Sequence, residues 1–285
     1  MSPVKITPKI ALVTLALFLC FTLGSGIAMR GVPQSAQAGG QAKTALTLLL
    51  VCSVQSLVMS YLILRTRWSG WRLIAAVFLV FYGVTTFMPQ IESAVFLTRL
   101  PPGVLPRLFL MGLLVGIPFS ILAVLILGKM SVASASNGDR QPMPASEWGW
   151  RLAVISVAYV ILYFTFGYYI AWRTPAVREY YGGTDPGNFF GQMQSVMRDT
   201  PWLIAFQIFR GVCWAAIAIV IIRMLEGRRI EIALALGFTF AVLMNAPLLL
   251  PNPYMPEPVR MAHLVETASS NFILGLLVGW LLVPG

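Results

Sequence analysis

Apolar runs of about 20 residues recur along the chain, at about 10–29, 44–64, 73–88, 108–128, 152–172, 201–222, 230–250 and 262–283. A bilayer core is roughly 30 Å thick and takes about 20 residues of helix to cross, so each run is long enough, or nearly so, to span it. Only 11% of the 285 residues are charged and the mean hydropathy is +0.80, against roughly a quarter charged in soluble domains. Backbone groups in lipid must satisfy their own hydrogen bonds, which leaves helices for runs of this length. The expectation is an all-α, polytopic helical integral membrane protein of about eight transmembrane helices, with no separate soluble domain. Pro89 cuts the third run short, and residues 90–98 are expected to continue it as a kinked or interfacial helix.

A formal net charge of +10 would suggest nucleic acid in a soluble protein, but here the basic residues punctuate the apolar runs. They read as topology signals, with the lipid bilayer as partner and no nucleic acid. One set of connections carries Lys5, Lys9, Arg65, Arg67, Arg72, Lys129, Arg140, Arg151, Arg223, Arg228 and Arg229. The other carries Arg30, Lys43, Arg99, Arg107, Arg173, Arg178, Arg198 and Arg260. The first set is larger and packed into shorter segments, which places both termini in the cytoplasm of a cell inner (plasma) membrane. Ala36-Gln37-Ala38 resembles a signal-peptide cleavage site, but the preceding apolar stretch is longer than a usual signal core. Cys20, Cys52 and Cys213 all lie inside apolar runs and read as small buried hydrophobes.

The halves echo one another. Gly24-x-x-Ile27-Ala28-Met29-Arg30 matches Gly167-x-x-Ile170-Ala171-Trp172-Arg173, the Arg65-to-Pro89 interval equals that from Arg223 to Pro247, and Gly112-Leu-Leu-Val-Gly116 recurs as Gly275-Leu-Leu-Val-Gly279. A parallel four-plus-four tandem repeat accounts for this, with residues 1–130 as the first half, 131–150 as a cytoplasmic connector and 151–285 as the second half. Chance matching between apolar sequences is the competing explanation. In either case the Gly-x-x-x-Gly pairs predict close helix contacts.

The longest outer connection, 173–200, holds Tyr180-Tyr181-Gly182-Gly183 and Asp185-Pro186-Gly187-Asn188. It is expected to form a turn-rich loop and then a short interfacial helix covering the outer mouth. The four prolines of 251–258 predict a stiff, extended entry to the last span.

Polar groups at bilayer depth cost about 2.5–3.5 kcal/mol each on insertion scales, so every one needs a partner or a purpose. In the last span His263, Glu266, Thr267 and Ser270 form one stripe, with Asn271 beside it. Gln207 and Arg210 lie one turn apart in the sixth span, about 9 and 14 Å below Pro201 and level with Glu266 and Ser270. Gln90 and Glu92 follow Pro89, and Asn245 lies in the seventh span. A guanidinium at that depth is expected to take Glu266 or Glu92, leaving the other carboxylate near His263 as a candidate acid–base pair. Tyr180 and Tyr181 are candidates to line the site from the covering loop, whereas Trp68, Trp71, Trp148, Trp150 and Trp172 read as interfacial anchors.

With a single histidine in the chain, every multi-histidine metal site is excluded; His263, Glu266 and Glu92 together offer one nitrogen and two carboxylates as a candidate ligand set. No Gly-x-Ser-x-Gly elbow or phosphate loop occurs. The leading expectation is an outward-facing intramembrane pocket that binds or translocates a small polar or amphipathic ligand. The alternatives are an intramembrane hydrolase acting on lipid at the outer leaflet through Glu92, His263 and Glu266, and a structural or accessory subunit whose ion pairs only lock helices together.

Overall fold

The computed structural model describes residues 3–32, 40–97, 100–131 and 145–283. The cleavage-like Ala36-Gln37-Ala38, Arg99, Arg140 and most of the 131–150 connector lie outside the described residues. Among the described residues, eight helices are long and apolar enough to cross a membrane: Ile6–Ala28, Gly40–Arg65, Gly70–Phe96, Val104–Ile126, Glu147–Ala171, Trp202–Met224, Arg229–Leu249 and Glu257–Leu282, numbered here as spans 1 to 8. Among the described residues there is no strand, only an isolated antiparallel bridge between Thr66 and Leu225. The chain is an all-α, multi-pass membrane protein.

Close packing is built on small residues, as the glycine spacing predicts. A side-chain carbon added to Gly275 would lie 2.5 Å from the backbone of Gly237, and one added to Gly279 would lie 2.5 Å from Ala233, so spans 7 and 8 meet backbone to backbone. Gly112 and Gly116 seat Thr86 and Phe78 of span 3 against span 4 in the same way, and Gly24 of span 1 receives Val115 of span 4. Span 5 packs on spans 6 and 8, while spans 2 and 3 cross to spans 7 and 6 respectively.

Cationic side chains cap span carbonyls at both ends of the bundle, as Arg107 does beyond span 1 in donating to Arg30 O at 2.6 Å. They cluster at one end, where Lys129 donates to Thr66 O at 3.0 Å, Arg67 to Leu225 O at 3.3 Å, Arg151 to Leu281 O at 2.5 Å and Arg229 to Trp280 O. A helix leaves its last carbonyls unpaired and slightly negative, which makes lysine and arginine suitable caps. This is the basic end. The opposite, loop end carries residues 173–200 and the proline-rich 251–256.

Pro89 does not break span 3. Gly83–Phe87 forms a wide π-turn just before it, and the helix resumes over Met88–Phe96. The additional residue in the turn relieves the clash between the proline ring and the carbonyl of the preceding turn. Similar π-turns occur at Gly167–Ala171 in span 5 and Thr239–Leu243 in span 7. In span 7, Gln55 of span 2 reaches the turn and donates to Leu243 O at 2.9 Å.

Candidate functional site

Arg210 is 1% exposed, and its Nη2 donates to Glu92 Oε2 at 2.6 Å. Its Nη1 donates to Gln207 Oε1, one helical turn away, at 3.1 Å. Tyr159 lies under the guanidinium at 5.5 Å and Phe206 at 5.9 Å, within the range at which a ring face attracts a cation. Of the two carboxylates that the sequence offers to Arg210, the fold supplies Glu92, because the helix that resumes after the π-turn of span 3 carries this residue toward span 6.

Glu266, the other carboxylate, accepts from or donates to His263 across a 2.7 Å contact between Oε2 and Nδ1, with both residues on span 8. Its Oε1 rests against Gly167 in the π-turn of span 5, where a side-chain carbon would sit 3.4 Å from the oxygen. His263 Nε2 meets the Tyr181 hydroxyl at 3.1 Å. A continuous hydroxyl–imidazole–carboxylate line therefore runs from the loop end into the bundle. With the imidazole neutral and Nδ1 carrying its proton, Nδ1 donates to Glu266 and Tyr181 donates to Nε2. Burial raises the Tyr181 phenol well above its ordinary value, and the charges of Glu92 and Glu266 push the same way. Tyr181 thus keeps its proton throughout the physiological range.

Tyr181 belongs to a helix, Pro175–Tyr181, where a turn-rich loop is expected from sequence. Pro175 at its start and Gly182 at φ 70° beyond its end supply the start and stop signals. Arg178 anchors it by donating to Trp172 O at 2.7 Å, and the Tyr180 hydroxyl donates to Tyr254 O at 2.5 Å. Tyr180 is thereby a clasp to the proline-rich segment, while Tyr181 faces the histidine. Downstream, where an interfacial helix is expected, a helix forms over Phe189–Asp199, with Asn188 capping it by accepting from Gly191 N at 2.8 Å. None of its residues is buried, and Phe190 and Met197 are 82% and 64% exposed, as suits an amphipathic helix lying at a membrane surface.

The remaining candidates divide. Asn245 accepts from Thr267 and donates to Ala241 O at 2.8 Å, tying span 7 to the stripe of span 8. Gln90 keeps a sealed Oε1 without a hydrogen-bond partner. The Ser270 hydroxyl is spent on Thr267 O at 3.3 Å, and Asn271 turns to the Met244 sulfur at 3.2 Å, away from both ion pairs. Glu92, His263 and Glu266 do not assemble a metal site: Arg210 engages Glu92, and no group of three His, Cys, Asp or Glu among the described residues is placed to hold a metal ion.

Two residues of the site escape sequence reasoning. Tyr159 and Tyr163 lie one turn apart on span 5, the first with its ring under the Arg210 guanidinium. In the sequence they are aromatics in an apolar run. Their signal is the stripe they form with Gly167, two hydroxyl-bearing rings leading to a gap where a carboxylate fits. Span 5 joins the two ion pairs, with Tyr159 under Arg210 and Gly167 against Glu266. Comparison with known protein families, curated proteins and solved structures finds no match for this chain.

Proposed function

We propose that the loop-end cluster is a binding site for a small polar or amphipathic ligand, entered from the outer face of a cell's inner (plasma) membrane and covered by the Pro175–Tyr181 helix. The observation that carries this reading is the line Tyr181–His263–Glu266, which couples a short covering helix outside the spans to a buried carboxylate beside a second ion pair. A pair serving only to lock two helices has no use for a hydroxyl contributed by a loop-end helix. Opening that helix exposes imidazole and carboxylate together, and the proton they share sets the charge met by a ligand. Translocation adds a second opening, toward the basic end, to the same site.

The intramembrane-enzyme alternative now rests on His263 and Glu266 as base and orienting carboxylate, since Glu92 is committed to Arg210. The parallel arrangement of the halves also supports the tandem-repeat reading: span 1 lies on span 4 as span 5 lies on span 8, and the Thr66–Leu225 bridge joins the ends of spans 2 and 6.

Thiol accessibility tests the site. With Cys20, Cys52 and Cys213 replaced by alanine, Ser270→Cys should react with a small water-soluble thiol reagent applied from the loop end, and faster still when Tyr181→Ala is added. Folded protein that stays unreactive in both backgrounds would leave only the structural reading.

A further inference from the structure

The two ion pairs account for every charge of the inner cluster, but not for Arg260. This residue lies in the first turn of span 8, is 6% exposed, and has its Nε sealed from solvent without a hydrogen-bond partner. Its backbone N–H is satisfied by Pro256 O at 3.0 Å, so the deficit is in the side chain alone. Glu92 is held by Arg210 and Glu266 by His263, and among the described residues no ion pair or side-chain hydrogen bond engages Arg260. Glu257, one turn earlier on the same helix, is exposed and makes no ion pair with Arg260 among the described residues. A mostly buried guanidinium with no counter-charge, its Nε sealed and its outer nitrogens unpartnered, is hard to retain unless something else brings the charge.

We propose that Arg260 is the receptor for an oxyanion, the phosphate or carboxylate of an amphiphilic ligand whose remainder enters the cluster below. This rests on the reading of the loop-end cluster as a ligand site and names the chemistry of one end of the ligand. Arg260 stands three residues before His263, about 4.5 Å nearer the loop end. Helical side chains lean toward the helix start, which aims this guanidinium at the level of lipid headgroups. The positive end of the 26-residue helix Glu257–Leu282 adds to the attraction. A planar guanidinium fits a phosphate or carboxylate through two parallel hydrogen bonds, and Arg260 has its donors uncommitted. His263 and Glu266 then meet whatever follows the oxyanion by one helical turn.

The test uses the full chain in micelles of a non-ionic maltoside detergent, which offers no oxyanion, comparing wild type with Arg260→Gln and Arg260→Lys. Three probes are added separately: phosphatidylglycerol, laurate, and inorganic phosphate. The expected result is a rise of roughly 2–4 °C in Tm for wild type with at least one probe, lost in Arg260→Gln and kept in part in Arg260→Lys. A response to phosphatidylglycerol identifies a lipid headgroup, one to laurate a carboxylate amphiphile, and one to inorganic phosphate a soluble oxyanion. In detergent alone, Arg260→Gln should melt at or above the wild-type temperature, since it removes an uncompensated charge. The proposal is overturned if no probe acts on wild type, if Arg260→Gln keeps the full response, or if it melts several degrees lower without probe, which would reveal an internal partner. Loss of the response in Arg260→Gln while Ser270→Cys stays unreactive would sink the deeper site and leave the oxyanion subsite standing. The reverse pattern would sink the subsite alone.

Discussion

Arg210 and Glu92 are buried unequally, the first 1% and the second 25% exposed at the side chain, and this inequality sets the order in which mutations do harm. Removing Glu92 strands a fully sealed cation, whereas removing Arg210 strands a carboxylate that still reaches the surface. Breaking a buried pair from one side costs about 3–5 kcal/mol, most of it the penalty of the orphaned charge. Glu92→Gln should therefore destabilise the protein by about that amount and Arg210→Met by visibly less, with the double replacement Arg210→Met and Glu92→Leu recovering much of the loss. Reversible unfolding in bicelles reads all three. Tyr181→Phe should cost only about 1 kcal/mol of stability, the worth of one hydrogen bond, while raising the labelling rate of Ser270→Cys. A stability loss without faster labelling would show that Tyr181 is a strut and no cover. At this scale sequence reveals charges better than hydroxyls. Arg210, Glu92, His263 and Glu266 stand out because a charge in an apolar run is expensive. Tyr159 and Tyr163 do not, since a phenol is at home there, and Arg260 passes for one more topology-setting cation until its surroundings are seen.

Among the elements, the contact between spans 7 and 8 is the one least able to absorb change. A side chain at Gly279 meets the backbone of Ala233 at 2.5 Å, so Gly279→Leu forces the helices apart; at Gly26 nothing lies within 4 Å of the position a Cβ would take. Overpacking of a close contact costs about 1–3 kcal/mol. Gly279→Leu is expected to lower Tm and weaken the site that span 8 carries, whereas Gly26→Ala should leave both unchanged in the same thermal melt. The spans themselves, and the surface helix capped by Asn188, follow from apolar run length and turn chemistry. The π-turns do not follow, because a wide turn is a compromise between a proline and its neighbours that has no residue code of its own. Two of them precede the polar segments of spans 3 and 7, and the third receives Glu266 at Gly167, so the irregular turns lie where the cluster is built. The covering helix was also hidden, its seven residues between Pro175 and Tyr181 being too few for a periodic pattern.

Over the whole molecule, the basic residues serve twice, marking the sides of the bundle and capping helix ends. The proposed orientation is checked by Asp185→Cys and Glu226→Cys in intact cells. An impermeant maleimide should label the first at once and the second only after permeabilisation, and the opposite order would turn the site toward the cytoplasm. The central claim is that the polar cluster holds a ligand rather than merely joining helices. Its most direct test is native mass spectrometry of the purified wild-type chain beside Glu266→Gln and Arg210→Ala, scoring every lipid or small molecule retained. A specific bound species in the wild type that disappears from folded variants is the expected result. Identical cargo in all three proteins, with the variants merely less stable, would contradict it.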